Sequence, residues 1–303
     1  MKFEVTILGN SSATPIFHRN PTSQVLNINE KLLMIDCGEG TQQQMLRFGI
    51  KFQKIDYILI SHLHGDHYFG LVGLLSSMNL NGRKKPLRIF APIDLLEILN
   101  IQFKYSDTEI TFPLEFKAID HKTPGLILET NDFSVETISL NHRVPCTGFI
   151  IREKQRQRKV IKELIADLNI PAPYIPLLKR GIDFVDQEGV VYKAENLTIE
   201  ADKPRSYAYC SDTLCDWTYT DRLVNINTLY HETTFMHDMI DRATATFHTT
   251  TIQAGEVAKK VRVEKLLIGH FSARYRDLTP ILLETRSVFE ETFLANEGET
   301  FII

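Results

Sequence analysis

Seven consecutive residues, Ser61-His62-Leu63-His64-Gly65-Asp66-His67, bring three imidazoles and a carboxylate together in the space of six positions. In an extended chain His62 and His64 project to the same side and can share one ion. Gly65 then permits a sharp change of direction that carries Asp66 and His67 toward a second position. Imidazole with carboxylate suits zinc best among the common metals, and manganese or iron is also compatible. A solvated histidine-rich loop could use the same letters. The flanks argue otherwise: Tyr57-Ile58-Leu59-Ile60 reads as a buried strand, and Tyr68, Phe69, Leu71, Val72, Leu74 and Leu75 read as a mostly apolar helix. The cluster therefore belongs on a strand-to-helix turn, where a rigid scaffold ends and side chains can converge.

Other strands end in groups of the same kind. The segment Leu32-Leu33-Met34-Ile35 runs into Asp36, which could cap the helix expected over 42–48 or fix a ligand histidine by accepting its second N–H. A strand over 133–140 delivers His142, one over 205–210 delivers Asp212, one over 223–230 delivers His231-Glu232, and Lys265–Gly269 delivers His270. Ala243–Thr250, containing His248, leads into a helix over 252–261. Strand-like stretches are also expected at 87–92, 110–119 and 126–130, and a helix reaching Phe293 closes the chain. Strands that end one after another in His or Asp are what a site at one edge of a sheet assembly looks like in sequence. The first loop, Gly9–Pro15 followed by His18-Arg19-Asn20, reads as a surface excursion or, through Arg19, as a phosphate contact.

With 303 residues, 43% hydrophobic and 24% charged, the chain fits one large globular domain over 1–303. Net charge is −4 and the pI about 6.2, so an anionic partner needs a local basic patch. Met1–Leu8 alternates like a strand, and no stretch has the apolar length of a membrane span or signal core; the expectation is a cytoplasmic protein without a membrane. Cys37, Cys146, Cys210 and Cys215 are too few and too scattered for a disulfide framework and read as reduced, packed near the site rather than ligating it. From Arg152 to Lys162 six basic residues face one acid, and Asn169–Gly181 holds three prolines. This basic, proline-broken segment of about 152–200 reads as a projecting insertion, either a solvated surface excursion or a local contact for an anionic partner with Arg156, Arg158, Lys159, Lys179 and Arg180 as its candidate residues.

The HxHxDH motif resembles the metal signature of the metallo-β-lactamase superfamily, which implies a four-layer αββα sandwich of α/β class. Asp36, His62, His64, Asp66, His67, His142, Asp212 and His270 follow the order of that superfamily's motifs. The strings IDCGEGTQ, SHLHGDH, HRVPCTGF, HETTF, FHTT and GHFSARY further resemble the ribonuclease Z family. That resemblance implies a zinc-dependent endoribonuclease that removes 3′ trailers from precursor transfer RNA, leaving a 3′-hydroxyl and a 5′-phosphate. It implies two Zn2+ per subunit, with Mn2+ or another divalent ion possible. His62, His64 and His142 would hold one ion, Asp66, His67 and His270 the other, and Asp212 would bridge. Asp66 would serve the attacking hydroxide, and His248, oriented by Glu232, would protonate the leaving oxygen. The resemblance also implies that the insertion of about 152–200 is a flexible arm that grips the RNA, and a homodimer in which the arm of one subunit serves the site of the other. The family's Gly-Pro motif in that arm is here Ala172-Pro173, followed by Leu178-Lys179-Arg180-Gly181. Two other readings compete: a metallohydrolase of the same fold acting on a small phosphodiester, sulfate ester or thioester, and a non-catalytic RNA-binding protein.

Overall fold

Along the strand Lys31–Cys37, Leu33 and Ile35 turn into one apolar cluster while Met34 and Cys37 turn into another. Ser206–Cys210 does the same, sending Tyr207 and Tyr209 to the first cluster and Ala208 and Cys210 to a third. A strand buried on both faces must lie between two layers, and period-2 alternation assigns each side chain to its layer. The computed structural model, which describes residues 2–16 and 18–303, contains two such sheets of seven strands each.

The first sheet runs Thr300–Ile302, Phe3–Gly9, Ser23–Ile28, Lys31–Cys37, Ile55–Leu59, Leu87–Ala91, Leu114–Ala118. Its first four strands pair antiparallel and its last four parallel. The second runs Thr292–Leu294, Lys265–Gly269, Thr228–Glu232, Ser206–Cys210, Cys146–Glu153, Phe133–Leu140, Leu126–Glu129, with the first four parallel. Phe3, Val5 and Ile7 meet Phe149, Tyr207 and Tyr230 in the cluster between the sheets. The outer face of the first sheet is covered by Leu71, Leu75, Leu95 and Leu99 of the helices Leu71–Leu80 and Asp94–Tyr105. The outer face of the second is covered by Val257, Ala258 and Val261 of the helix Thr251–Val261. These are four layers in the order αββα.

Several elements differ from the sequence reading. Met1 lies outside the described residues, and the first strand spans Phe3–Gly9. The stretch expected as strand over 110–119 pairs only over Leu114–Ala118, directly after Pro113, which has no N–H for a ladder. The strand before Glu232 begins at Thr228, because Thr220–Leu223 forms a 3-10 turn. The closing helix stops at Arg286, and the chain instead adds Thr292–Leu294 to one sheet and Thr300–Ile302 to the other. Both are short edge strands rich in β-branched and aromatic residues, the composition that packs on a pleated surface.

The described residues form two compact units: the chain through Arg152 together with Arg205–Ile303, and Glu153–Pro204. The second unit has its own small core of Ile170, Leu178, Phe184, Ala194 and Leu197. Its proline-broken segment does contain a helix, Ile175–Lys179, with Pro176 in the first turn, where a missing N–H costs nothing. Glu153–Pro204 carries nine lysines and arginines against nine aspartates and glutamates, with five of the cations in the 154–162 run, two in the Lys179-Arg180 pair, and Lys193 and Lys203 apart from both. Within that run Arg156 pairs with Glu153 at 2.8 Å, and Arg158 donates to Thr198 Oγ1 at 2.6 Å. Lys159 and Arg180 are exposed, and Lys179 is half-buried at the end of its helix.

Candidate metal centre

The site is assembled from the exits of strands in both sheets. Asp36 sits at the end of Lys31–Cys37 with a φ of +56°, a left-handed conformation that Asp tolerates better than most residues. The turn aims its carboxylate across the sheet: Oδ1 accepts the Ser61 N–H at 2.7 Å, and Oδ2 accepts from Ser61 Oγ at 2.8 Å, His67 Nδ1 at 2.8 Å and Tyr209 OH at 2.7 Å. The helix over Thr41–Arg47 is capped by Gly40 without a side-chain bond, so of the two roles open to Asp36 the structure realises the histidine acceptor.

Each histidine of the cluster has one ring nitrogen occupied by the protein or aimed at its neighbours. His67 spends Nδ1–H on Asp36. His62 Nδ1 donates to Ser61 Oγ at 3.0 Å, and His142 Nδ1 to the Phe247 carbonyl at 3.0 Å. Phe247 is itself left-handed (φ 57°), which ends the helix Ile240–Thr246 and turns that carbonyl toward His142. His270 Nδ1 meets Thr234 Oγ1 at 2.9 Å. The remaining nitrogens converge. His64 Nδ1 lies 3.1 Å from His62 Nε2 and 3.2 Å from His142 Nε2. Tetrahedral ligands at zinc–nitrogen distances of about 2.0–2.1 Å stand about 3.3–3.4 Å apart, so these three atoms are spaced as the edges of one coordination sphere. Asp66 Oδ2, His67 Nε2 and His270 Nε2 gather as a second group, with the carboxylate oxygen 3.6 and 3.5 Å from the two rings. Asp212 lies between the groups: Oδ2 is 3.7 Å from both His62 and His142, and Oδ1 is 3.4 Å from His67 and 3.1 Å from His270.

The donor set fits divalent cations on an observation independent of any resemblance. Among the described residues His67 Nε2, His270 Nε2 and Asp212 Oδ1 are buried without a hydrogen-bond partner, and the carboxylate oxygen lies 3.4 and 3.1 Å from the two ring nitrogens. Burial, first of all, pushes His62, His64 and His142 below the ordinary imidazole range, so they present lone pairs. Burial would lower His67 too, but Asp212, Asp66 and Asp36 override it and raise it well above that range. For Asp212 burial opposes ionisation while His270 and His67 favour it more strongly, leaving the carboxyl well below its usual range. Without cations the site therefore keeps a proton on His67 that a metal must displace.

Beside this cluster, His248 Nδ1 donates to Glu232 Oε1 at 3.1 Å. Glu232 is fully buried and accepts the Thr249 N–H at 2.7 Å, the Thr234 N–H at 3.0 Å and Thr234 Oγ1 at 2.7 Å. The His248 ring stands 5.3 Å from that of His142 and 5.5 Å from that of His270. Burial works against a proton on His248, yet Glu232 raises it to about 9. Its position is set by the helix that follows, whose N-terminus is closed by the reciprocal Thr250–Gln253 capping box. His64, Asp66, Asp212, His248 and Arg143 line an open cleft of about 420 Å³, with Ala13 of the first loop on its rim. The Ala13 N–H donates to Asp66 Oδ2 at 2.7 Å.

All the sequence-expected ligands, with Asp36, Glu232 and His248, thus come together. His231 of the same HETT string does not: it is buried, with Nε2 2.9 Å from Tyr219 OH, and belongs to the core. Arg19 donates to the Tyr275 carbonyl at 2.8 Å, tying the first loop to the loop after His270 instead of facing a phosphate. The four cysteines are buried and unbridged; Cys146 Sγ lies 3.6 Å from the outward nitrogen of His62, behind the ligand cluster. Sequence reasoning missed the adjoining Ser61 and, from distant parts of the chain, Tyr209, Thr234 and the Phe247 carbonyl, which hydrogen-bond to the rings or to the Asp36 that holds one of them.

A ribonuclease Z from Cytophaga hutchinsonii is 47% identical over 305 residues, covering all of this chain and 97% of that protein. The chain belongs to the ribonuclease Z family. The short form of human tRNase Z superposes with a TM-score of 0.71 at 24% identity, covering 99% of both chains. The metallo-β-lactamase-fold protein YhfI of Bacillus subtilis does so with a TM-score of 0.70 at 18% identity, covering 99% of this chain. Both are likenesses of fold, and they agree with the layers and sheets described above. A family model described as anti-Pycsar protein Apyc1 matches residues 3–159. That span contains the HxHxDH motif and His142 but ends before Asp212, Glu232, His248 and His270, whereas the ribonuclease Z match runs through all of them. Among the described residues no helix is long and apolar enough to cross a membrane.

Proposed function

We propose that this protein is a zinc-dependent endoribonuclease that removes 3′ trailers from precursor transfer RNA, leaving a 3′-hydroxyl on the transfer RNA and a 5′-phosphate on the trailer. The observation that carries the reading is the pairing of a two-part His/Asp cluster with a His248–Glu232 dyad on the same cleft, in a chain of the ribonuclease Z family. His62, His64 and His142 would hold one ion, Asp66, His67 and His270 a second, and Asp212 both. Two bound divalent ions would supply acidified water at neutral pH and neutralise charge on a phosphodiester. Zinc is the ion the imidazole-rich donor set favours, with manganese the alternative.

The protein's own groups do the rest. Asp66, held by the Ala13 N–H, orients the attacking water and accepts its proton. His248 gives its proton to the leaving 3′ oxygen, and Glu232 fixes the ring so that Nε2 faces the cleft. Arg143, beside His142 on the cleft, offers charge to a non-bridging phosphate oxygen. RNA outside the cleft would be held by Arg156, Arg158, Lys159, Lys179 and Arg180 of the 153–204 unit, with two copies of the chain forming a cytoplasmic homodimer.

Cleavage of an end-labelled, 3′-extended precursor transfer RNA, with and without chelator and with both new ends mapped, tests this. A single cut beside the acceptor stem, lost with chelator and restored by zinc or manganese, is expected. No cut by protein containing two metals per chain would reject the ribonuclease reading in favour of a small-molecule esterase.

A further inference from the structure

The sequence places Phe69 in the apolar helix behind the metal motif, but the structure does not bury it. Its side chain is 61% exposed, it joins none of the apolar clusters, and it stands on the cleft that holds Asp66 and His248. Nor is it a loose surface residue. A Cβ on Gly65 would lie 2.2 to 2.6 Å from three atoms of the Phe69 ring, so the ring rests directly on the Gly65 backbone. On its other side, a Cβ on Gly70 would lie 2.2 Å from the Gly38 carbonyl, and the Gly70 N–H donates to the Cys37 carbonyl at 2.9 Å. Tyr68 meets the ring edge-on, with centroids 5.0 Å apart. The backbone just after Phe69 is held at the end of the first sheet, and the ring rests on Gly65 while much of it remains in solvent.

A fixed, uncovered carbon ring contributes little to binding a phosphate or a cation. It suits a planar, apolar face, and next to a phosphodiester the planar face is a nucleobase. We propose that Phe69 is the platform on which the unpaired base flanking the scissile phosphate stacks. This inference rests on the ribonuclease reading and adds a binding subsite to it. Stacking of this kind is tolerant of base identity because every base has a π-face, and it requires a nucleotide free of its pairing partner. The ring would therefore select an unpaired 3′ extension over a paired one without selecting its sequence. Because the platform is already rigid in the free protein, no ordering of the ring opposes binding.

The test is a double substitution, in the protein and in the RNA. Wild type, Phe69→Leu and Phe69→Trp are compared on a 3′-extended precursor transfer RNA that is intact or carries one abasic residue, placed 5′ or 3′ of the cut. On the wild type, one of the two abasic positions should lower kcat/KM by about 5- to 100-fold. Phe69→Leu should lose a similar factor on intact RNA and lose no more when that base is removed, while Phe69→Trp keeps most of the activity. Metal content and melting temperature of both variants, equal to wild type, establish that the site is intact. Independent, multiplying losses from the two changes, or full activity of Phe69→Leu, would overturn the platform while leaving the ribonuclease reading in place. A wild type that binds two metals and cuts no precursor would remove both.

Discussion

Asp36 shows how much one residue can set in this site. Four donors end on its carboxylate, and one of them, His67 Nδ1, has its tautomer decided by that bond. In Asp36→Asn the amide nitrogen cannot accept, so one side of the network loses its acceptor and His67 is free to turn. Metal affinity should fall by about 10- to 100-fold, measured by competition with a chromophoric chelator. Unchanged affinity would show that the ring is held by packing alone. Glu232 makes a matching argument through protons. It raises His248 to about 9, so the proton is present below that pH and lost above it. In Glu232→Gln the burial that lowers His248 remains and the carboxylate that raises it is gone. The alkaline limb of the kcat profile should therefore move to lower pH by about 1 to 3 units. The charge of bound cations lowers the limb in both proteins, so the comparison between them is the readout. A limb that stays in place would take the general-acid role away from His248. The convergence of these histidines and aspartates was legible in sequence because each follows the end of a strand within a few residues and is His or Asp. Thr234 was not, since a hydroxyl in a run of threonines carries no mark of the three groups it touches: Glu232, His248 and His270.

Elements hold these residues by close approach as much as by hydrogen bonds. Gly38 follows the strand that carries Asp36, and a Cβ there would come within 2.4 Å of the Asp66 carbonyl and 2.6 Å of Pro21 Cβ. Gly38→Ala should cost about 1 to 3 kcal/mol as overpacking and, because the strained neighbour is a ligand's own backbone, should also reduce bound metal. Gly73, exposed in the helix Leu71–Leu80 with nothing within 4 Å, is the control. Gly73→Ala should stabilise by about 0.5 to 1 kcal/mol with metal content unchanged. Thermal melts with metal analysis separate the two, and equal behaviour would refute the close-approach argument. Element types with strong patterns were readable: the strand Lys265–Gly269 is a largely apolar run, and the helix Thr251–Val261 falls where one was expected over 252–261. Weaker elements were misread for local reasons. Thr292–Leu294 and Thr300–Ile302 are three residues each, too short for a period to register. Phe69 was read only as one residue of an apolar helix because a periodic pattern cannot reveal that a glycine four residues earlier seats its ring on the cleft.

The molecule as a whole carries a net charge of −4, and the unit over Glu153–Pro204 is balanced. On the proposed function, affinity for RNA would come from local placement of charge. Lys159 and Arg180 are exposed, whereas Arg156 and Arg158 are engaged with Glu153 and Thr198. Lys159→Ala and Arg180→Ala should each reduce the slope of log affinity against log salt by about 1 without changing the melt. Arg156→Ala should instead lower the stability of its own unit. An unchanged salt slope in both exposed-residue variants would place the RNA contact elsewhere. A run of six basic residues is easily seen in sequence, but which of them are consumed by neighbours is decided only when Thr198 is brought back beside Arg158. That unit is also entered and left at one point of the second sheet, because Arg152 and Ser206 are direct partners across antiparallel strands. To the sheet, fifty-odd residues are therefore equivalent to the loop of a hairpin. The entropy of closing such a loop grows only logarithmically, by about 0.6 kcal/mol for each doubling of its length. An appendage attached in this way can lengthen, shrink or be exchanged over evolution at almost no cost to the sandwich, so its size is free to follow the dimensions of whatever it must reach.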